Sequence, residues 1–142
     1  MADLFSLTVD SRMERLGEIS DFVSQAARAS GLSEHQIYDV EVAVDEACAN
    51  VIEHAYHGRA DGTIDITCER RGKEFVITIQ DFGERFDPRR IAPPKTRVPL
   101  AKRNVGGLGL FFMRKLMDKV DFNFSPKHGN RLTMVKKIKS KP

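Results

Sequence analysis

The sequence predicts an α/β sandwich of two layers, with a mixed, mainly antiparallel sheet covered on one face by helices. Three observations carry that expectation. Several short segments alternate apolar and polar residues with the period of two of a half-buried strand. Two longer stretches, between the first and second of these segments, repeat apolar residues at helical spacing. Turn residues punctuate the chain between them, and the resulting order is β-α-α-β-β-loop-α-β-β.

Each element has its own signal. Phe5, Leu7 and Val9 alternate with polar neighbours and predict a first strand. Ile19, Phe22, Val23 and Ala26 predict a helix from about Met13 to Ala29, with Gly31 as its stop. Ser33-Glu34-His35-Gln36 has the form of a capping box and opens a helix expected to reach Tyr56. Ile37, Val40, Val44, Ala47 and Val51 form its apolar stripe. Turns at His57-Gly58 and Asp61-Gly62 follow. Ile64, Ile66 and Cys68, then Phe75, Ile77 and Ile79, predict a hairpin closed at Arg71-Gly72-Lys73. A helix from Leu108 to Met117 and two final strands, Val120 to Phe124 and Leu132 to Ile138, complete the order around a turn at Lys127-His128-Gly129-Asn130.

Bulk properties narrow the class. The 142 residues suit one domain, 1–142, long enough to bury a core unaided. No apolar run approaches the ~20 residues that span a bilayer, and the N-terminus lacks the form of a secretion signal, so no membrane role and a cytoplasmic location are expected. Cys48 and Cys68 lie in apolar patterns without metal-type spacing and read as buried free thiols. The net charge of +3 is too small to indicate nucleic acid by itself. Much of it lies between Arg85 and Arg103 and in the tail from Lys136 to Lys141, which reads as a solvated strand end.

Three pieces carry potential chemistry. Glu46 and Asn50, four apart on the long helix, project from one face beside the apolar stripe, and His54 continues the row. An acid, an amide and an imidazole at the edge of a core can bind a metal and orient a nucleophile; taken in isolation, a polar helix flank is the plainer explanation. Asp81-Phe82-Gly83 leaves a strong strand at an acid able to accept from an exocyclic amine. Gly83 there permits either close approach of a flat ring or a positive φ; an ordinary turn is the plainer explanation. Gly106-Gly107-Leu108-Gly109-Leu110 stands before an apolar helix, where bare amides and the helix dipole favour phosphate. It is neither a Walker loop nor a dinucleotide fingerprint. Between the last two pieces, 82–107 holds four prolines and seven Lys or Arg, an unusually long irregular stretch of the kind that often has a function.

In this order and spacing the pieces resemble the GHKL ATPase superfamily, which includes gyrase, MutL-type repair proteins, histidine kinases and a heat-shock chaperone. The chain is identified as similar to its anti-sigma factor serine kinases through Glu46-Ala47-Cys48-Ala49-Asn50, Asp81-Phe82-Gly83 with Phe86-Asp87-Pro88, and Gly106-Gly107-Leu108-Gly109-Leu110-Phe111. The resemblance runs from about Leu4 to Ile138 and implies a Bergerat-type ATP-binding fold. By that resemblance Asn50 coordinates Mg²⁺, Glu46 acts as general base, Asp81 bonds the adenine amine and Gly83 shapes its pocket. Gly106, Gly107, Leu108, Gly109 and Leu110 meet the phosphates, and Arg103 sits in an ATP lid at 84–107. His54, Arg85 and Thr133 are secondary site residues on the same ground.

Two positions depart from the pattern. Arg85 stands where the superfamily often has a second glycine, which suits the anti-sigma branch. Asn130 and Arg131 follow Gly129 where a threonine often borders adenine, with Thr133 on the other side of Leu132. The implied function is a kinase that binds a sigma factor, phosphorylates a small antagonist (an anti-anti-sigma factor) and forms a homodimer. The alternative is a protein-binding module that uses ATP without appreciable transfer. A histidine kinase is disfavoured because there is no room for the helical segment that carries the phosphorylated histidine. A nucleic-acid binder does not explain the three motifs.

Overall fold

The computed structural model describes residues 4–87 and 113–139. Strand β1 (Leu4–Asp10) leads through a 3₁₀ turn (Met13–Arg15) into helix α1 (Leu16–Ala29). Helix α2 (Glu34–Asn50) continues into a π-helical turn (Val51–Ala55). Strands β2 (Thr63–Arg71) and β3 (Glu74–Asp81) form a hairpin, and β4 (Lys119–Ser125) and β5 (Gly129–Lys137) form another. Residues 113–116 are helical.

The five strands make one sheet in the order β1-β2-β3-β5-β4, and all four pairings are antiparallel. The sheet is therefore more uniform than the mixed arrangement expected. Its pleat sends Ile64, Ile66 and Cys68 of β2, Phe75, Ile77 and Ile79 of β3, and Leu132 and Met134 of β5 to one side. On that side they meet Ile19, Val23 and Ala27 of α1 and Ile37, Val40, Val44 and Ala47 of α2 in a single core. Both cysteines are buried free thiols in it.

Local chemistry explains how the helices begin and end. The Gln36 amide donates to Ser33 Oγ and the Ser33 amide donates to Gln36 Oε1, each at 3.2 Å, so the capping box forms in full. Gln36 also donates through Nε2 to the Lys137 carbonyl at 2.7 Å, which fastens the start of α2 to the end of β5. Gly31, with φ +96°, ends the chain's run through α1. At the far end of α2 the helix widens: the Tyr56 amide donates to the Val51 carbonyl, five residues back. This turn is absent from the sequence-based expectation of an uninterrupted helix to Tyr56.

In the basic tail Lys137 and Lys139 are exposed as expected, but Lys136 is not. Lys136 is only 12% exposed; its ammonium bonds Asp39 of α2 at 3.1 Å and also the Leu116 carbonyl at the end of the 113–116 turn. It ties both helical segments to β5 and is not a solvated strand end, because its position on β5 faces α2 and not water.

Candidate functional site

The site grows from the ends of the apolar rows. Counting along β3, the core face carries Phe75, Ile77, Ile79 and then Asp81. Along β5 it carries Met134, Leu132 and then Asn130. The register pairs Asp81 directly with Asn130. The pleat thus delivers a carboxylate and a carboxamide beneath the helical layer, where both are almost wholly buried. Asn50, at the end of α2, is 1% exposed and lines the same cleft as Asp81 and Asn130. Ala47, Ile79, Phe86, Met113, Phe122 and Leu132 supply its apolar walls.

The hydrogen bonding is uneven. Asp81 Oδ1 accepts from the Gly83 amide and from Asn130 Nδ2, both at 2.9 Å. Asp81 Oδ2, both polar atoms of Asn50, Glu46 Oε2 and His54 Nε2 are buried without a partner among the described residues. Only one further side-chain atom there, Arg131 Nε, shares that condition. An unsatisfied buried polar atom costs about 1–3 kcal/mol, and three of these belong to Asn50 and Asp81, which line one cleft, as a site for a ligand would require. Burial raises the pKa of Asp81, opposed by the Asn130 and Gly83 hydrogen bonds. Burial also raises that of Glu46, helped by neighbouring Asp45. Perturbed carboxylates in a cleft are typical of working sites.

Gly83 has a packing reason to be glycine. Its φ is not in the left-handed region. A Cβ there would lie 2.5 Å from the Ala55 carbonyl oxygen. The Glu84 amide donates to that same oxygen at 2.8 Å, so the segment after β3 docks on the π-helical turn. Tyr56 braces the other side. Its hydroxyl donates to the Thr63 carbonyl at 2.6 Å and accepts from the Phe82 amide at 3.0 Å.

The other residues singled out in the sequence fall as follows. Glu46 lies one turn before Asn50 on α2. The His54 ring is 6.0 Å from that of Phe86, which in turn is 5.9 Å from Phe122. Arg85 is exposed and stacks its guanidinium 5.0 Å from the Phe124 ring centre. Thr133 alternates with Leu132 and Met134 and so lies on the other face of the sheet, away from Asp81. Arg103, Gly106, Gly107, Leu108, Gly109 and Leu110 lie outside the described residues, as does most of the lid at 84–107. Sequence reasoning missed Tyr56 and the clamp made by Asn130; the replacement of threonine after Gly129 was the available signal for the latter.

Among the described residues no three His, Cys, Asp or Glu side chains gather as a metal cage. The donor that fits a cation is Asn50 Oδ1, a bare neutral oxygen beside a cleft. That suits Mg²⁺, which keeps waters and phosphate oxygens and asks for few protein ligands.

Residues 9–136 match the histidine kinase-like ATPase domain. The chain belongs to that family. Within this ATPase family it is 34% identical over 125 residues to the serine-protein kinase RsbW of Oceanobacillus iheyensis, covering 85% of this chain and 79% of the relative. It is 36% identical over 107 residues to the anti-sigma F factor of Clostridium novyi, covering 74% and 73%. The branch of serine-protein kinases and anti-sigma factors implied by the motifs is therefore the branch the relatives show. The fold agrees with that of the RsbU and RsbW domains of a Mycobacterium tuberculosis protein, at a TM-score of 0.71 and 16% identity. That superposition covers 99% of this chain and spans a third (33%) of the solved one. Among the described residues no helix is long and apolar enough to cross a membrane.

Proposed function

We propose that this chain is an anti-sigma factor with serine/threonine-protein kinase activity, which binds Mg-ATP and phosphorylates a small antagonist protein. The observation that carries the reading is the pairing of Asn50 and Asp81 across one cleft, each with buried polar atoms left bare. Family membership supports the nucleotide, and the names of the relatives support the partners. The kinase acts in the cytoplasm as a homodimer, alternating between a sigma factor and the antagonist.

Each residue has a task that its chemistry allows. Asp81 Oδ2 is a bare acceptor on a residue lining the cleft and takes the exocyclic amine of adenine. The apolar walls of Ile79, Phe86 and Leu132 take the faces and edges of the ring. Asn50 Oδ1 would hold Mg²⁺, which would supply positive charge against the phosphates. The amides of Gly106, Gly107, Leu108, Gly109 and Leu110, with Arg103, hold the phosphate oxygens. Glu46 is a base whose burial strengthens it. It accepts the proton of the antagonist's hydroxyl as that oxygen bonds to the γ-phosphorus. The bond from phosphorus to the bridging oxygen breaks, and ADP leaves with the electron pair. Positioning and charge neutralisation make up most of such a transfer.

The test is incubation with radiolabelled Mg-ATP and the small antagonist proteins encoded in the same genome. Transfer to one of them, lost in a Glu46→Gln variant that still binds ATP, is the expected result. ATP binding without transfer to any antagonist leaves a nucleotide-dependent binding module and overturns the kinase assignment.

A further inference from the structure

Asn130 spends both its donor protons and its amide oxygen on the end of β3 and the segment that follows it. Its Nδ2 donates to Asp81 Oδ1 and to the Glu84 carbonyl, both at 2.9 Å. Its Oδ1 accepts from the Phe86 amide at 3.3 Å. The chemistry fixes which way the amide points. Two of its partners are acceptors and one is a donor, so the flipped amide would set oxygen against both acceptors. With the Gly83 amide also on Asp81 Oδ1, that oxygen has two donors and Oδ2 has none. The carboxylate is thereby presented to the cleft by one oxygen.

The approach of β5 to Asp81 is set just upstream. Gly129 has φ +70°, and a Cβ there would lie 2.1 Å from the Asp81 carbonyl oxygen. Any side chain at 129 pushes the two strands apart where Asp81 and Asn130 pair. A threonine at 130 has a single donor proton. It cannot serve Asp81 and the Glu84 carbonyl together.

We infer that Asn130 is a positioning residue of the pocket: it holds Asp81 with Oδ2 free, couples that carboxylate to the Glu84–Phe86 segment, and so sets the preference for a base bearing an exocyclic amine. The inference rests on the nucleotide reading of the site. Phe86, held by Asn130, stands between His54 and Phe122, so the same amide also places one apolar wall of the cleft.

Calorimetric titration with ADP and with inosine diphosphate, which carries a carbonyl in place of the amine, tests it. The wild-type chain, Asn130→Ala and Asn130→Thr are compared, each with a thermal melt. The wild type is expected to prefer ADP. Asn130→Ala should cut that preference about tenfold, the scale of one charge-assisted hydrogen bond. Asn130→Thr should cut it less, and it carries the test where the alanine variant does not fold. A merely structural loss lowers both affinities alike and leaves their ratio unchanged. An unchanged ratio in the folded variants, with ADP still bound by the wild type, overturns the role of Asn130. Failure of the wild type to bind either nucleotide overturns the nucleotide reading instead.

Discussion

Replacing Gly83 by alanine places a methyl group 2.5 Å from the Ala55 carbonyl oxygen, 2.8 Å from its carbon and 2.9 Å from the Ala55 Cβ. Relaxed carbon contacts need about 3.5 Å, so the segment after β3 must retreat by about 1 Å. Two of the three nearest atoms are backbone of the π-helical turn, which cannot yield as a side-chain tip can. The retreat breaks the Glu84 amide bond to Ala55, a loss of about 1 kcal/mol. Overpacking adds about 1–3 kcal/mol. Loss of the glycine's freedom in the unfolded chain returns about 0.4–1 kcal/mol. The net destabilisation is about 1–3.5 kcal/mol, or roughly 3–12 °C in Tm for a domain of this size. The same displacement moves the Gly83 amide that Asp81 Oδ1 accepts from, so ADP affinity falls with it. Differential scanning calorimetry with and without ADP reads both effects. A Tm within about 2 °C of wild type, with the ADP-induced rise intact, refutes the claim that this glycine exists for its packing.

Three further outcomes follow from the geometry. Asn50→Leu removes two bare buried polar atoms and should raise stability by about 1–3 kcal/mol while abolishing the Mg²⁺ dependence of nucleotide binding; urea unfolding and calorimetry check the two halves. Asp81 has a folded pKa above its ordinary value of 3.8, so the native state keeps a proton that the unfolded chain releases. Stability is therefore lost as pH rises from the ordinary value through the raised one, and unfolding curves at a series of pH values should show Asp81→Asn gaining on wild type across that window. Lys136→Met takes the ammonium from the mostly buried Asp39 carboxylate and leaves it the exposed His35 ring 3.9 Å away, which should cost about 2–4 kcal/mol by urea unfolding; adding Asp39→Asn should recover part of it.

Period-two alternation sufficed to place β2 and β3, because each strand has one apolar face and one polar face. The Ser33 capping box was legible because all its partners lie within four residues. The π-helical turn was not, since Val51, Ile52, Ala55 and Tyr56 are buried in a pattern that a regular helix also allows. Asn50 could be seen beside the apolar stripe, yet its bare amide depends on what the sheet fails to offer it. The role of Asn130 depends on a register that brings it to Asp81 from 49 positions away, and no local pattern encodes that. Lys136 was misread because a run of basic residues hides the one member whose strand position faces α2.

Titration of Mg-bound, non-hydrolysable ATP into the wild-type chain and into Asp81→Asn tests the central claim most directly, since Asp81 is the cleft residue that is assigned to the base. One nucleotide per chain on the wild type, with affinity lost in Asp81→Asn while the fold is kept, is the expected result. Equal affinity in the two proteins, or no binding to the wild type, contradicts it.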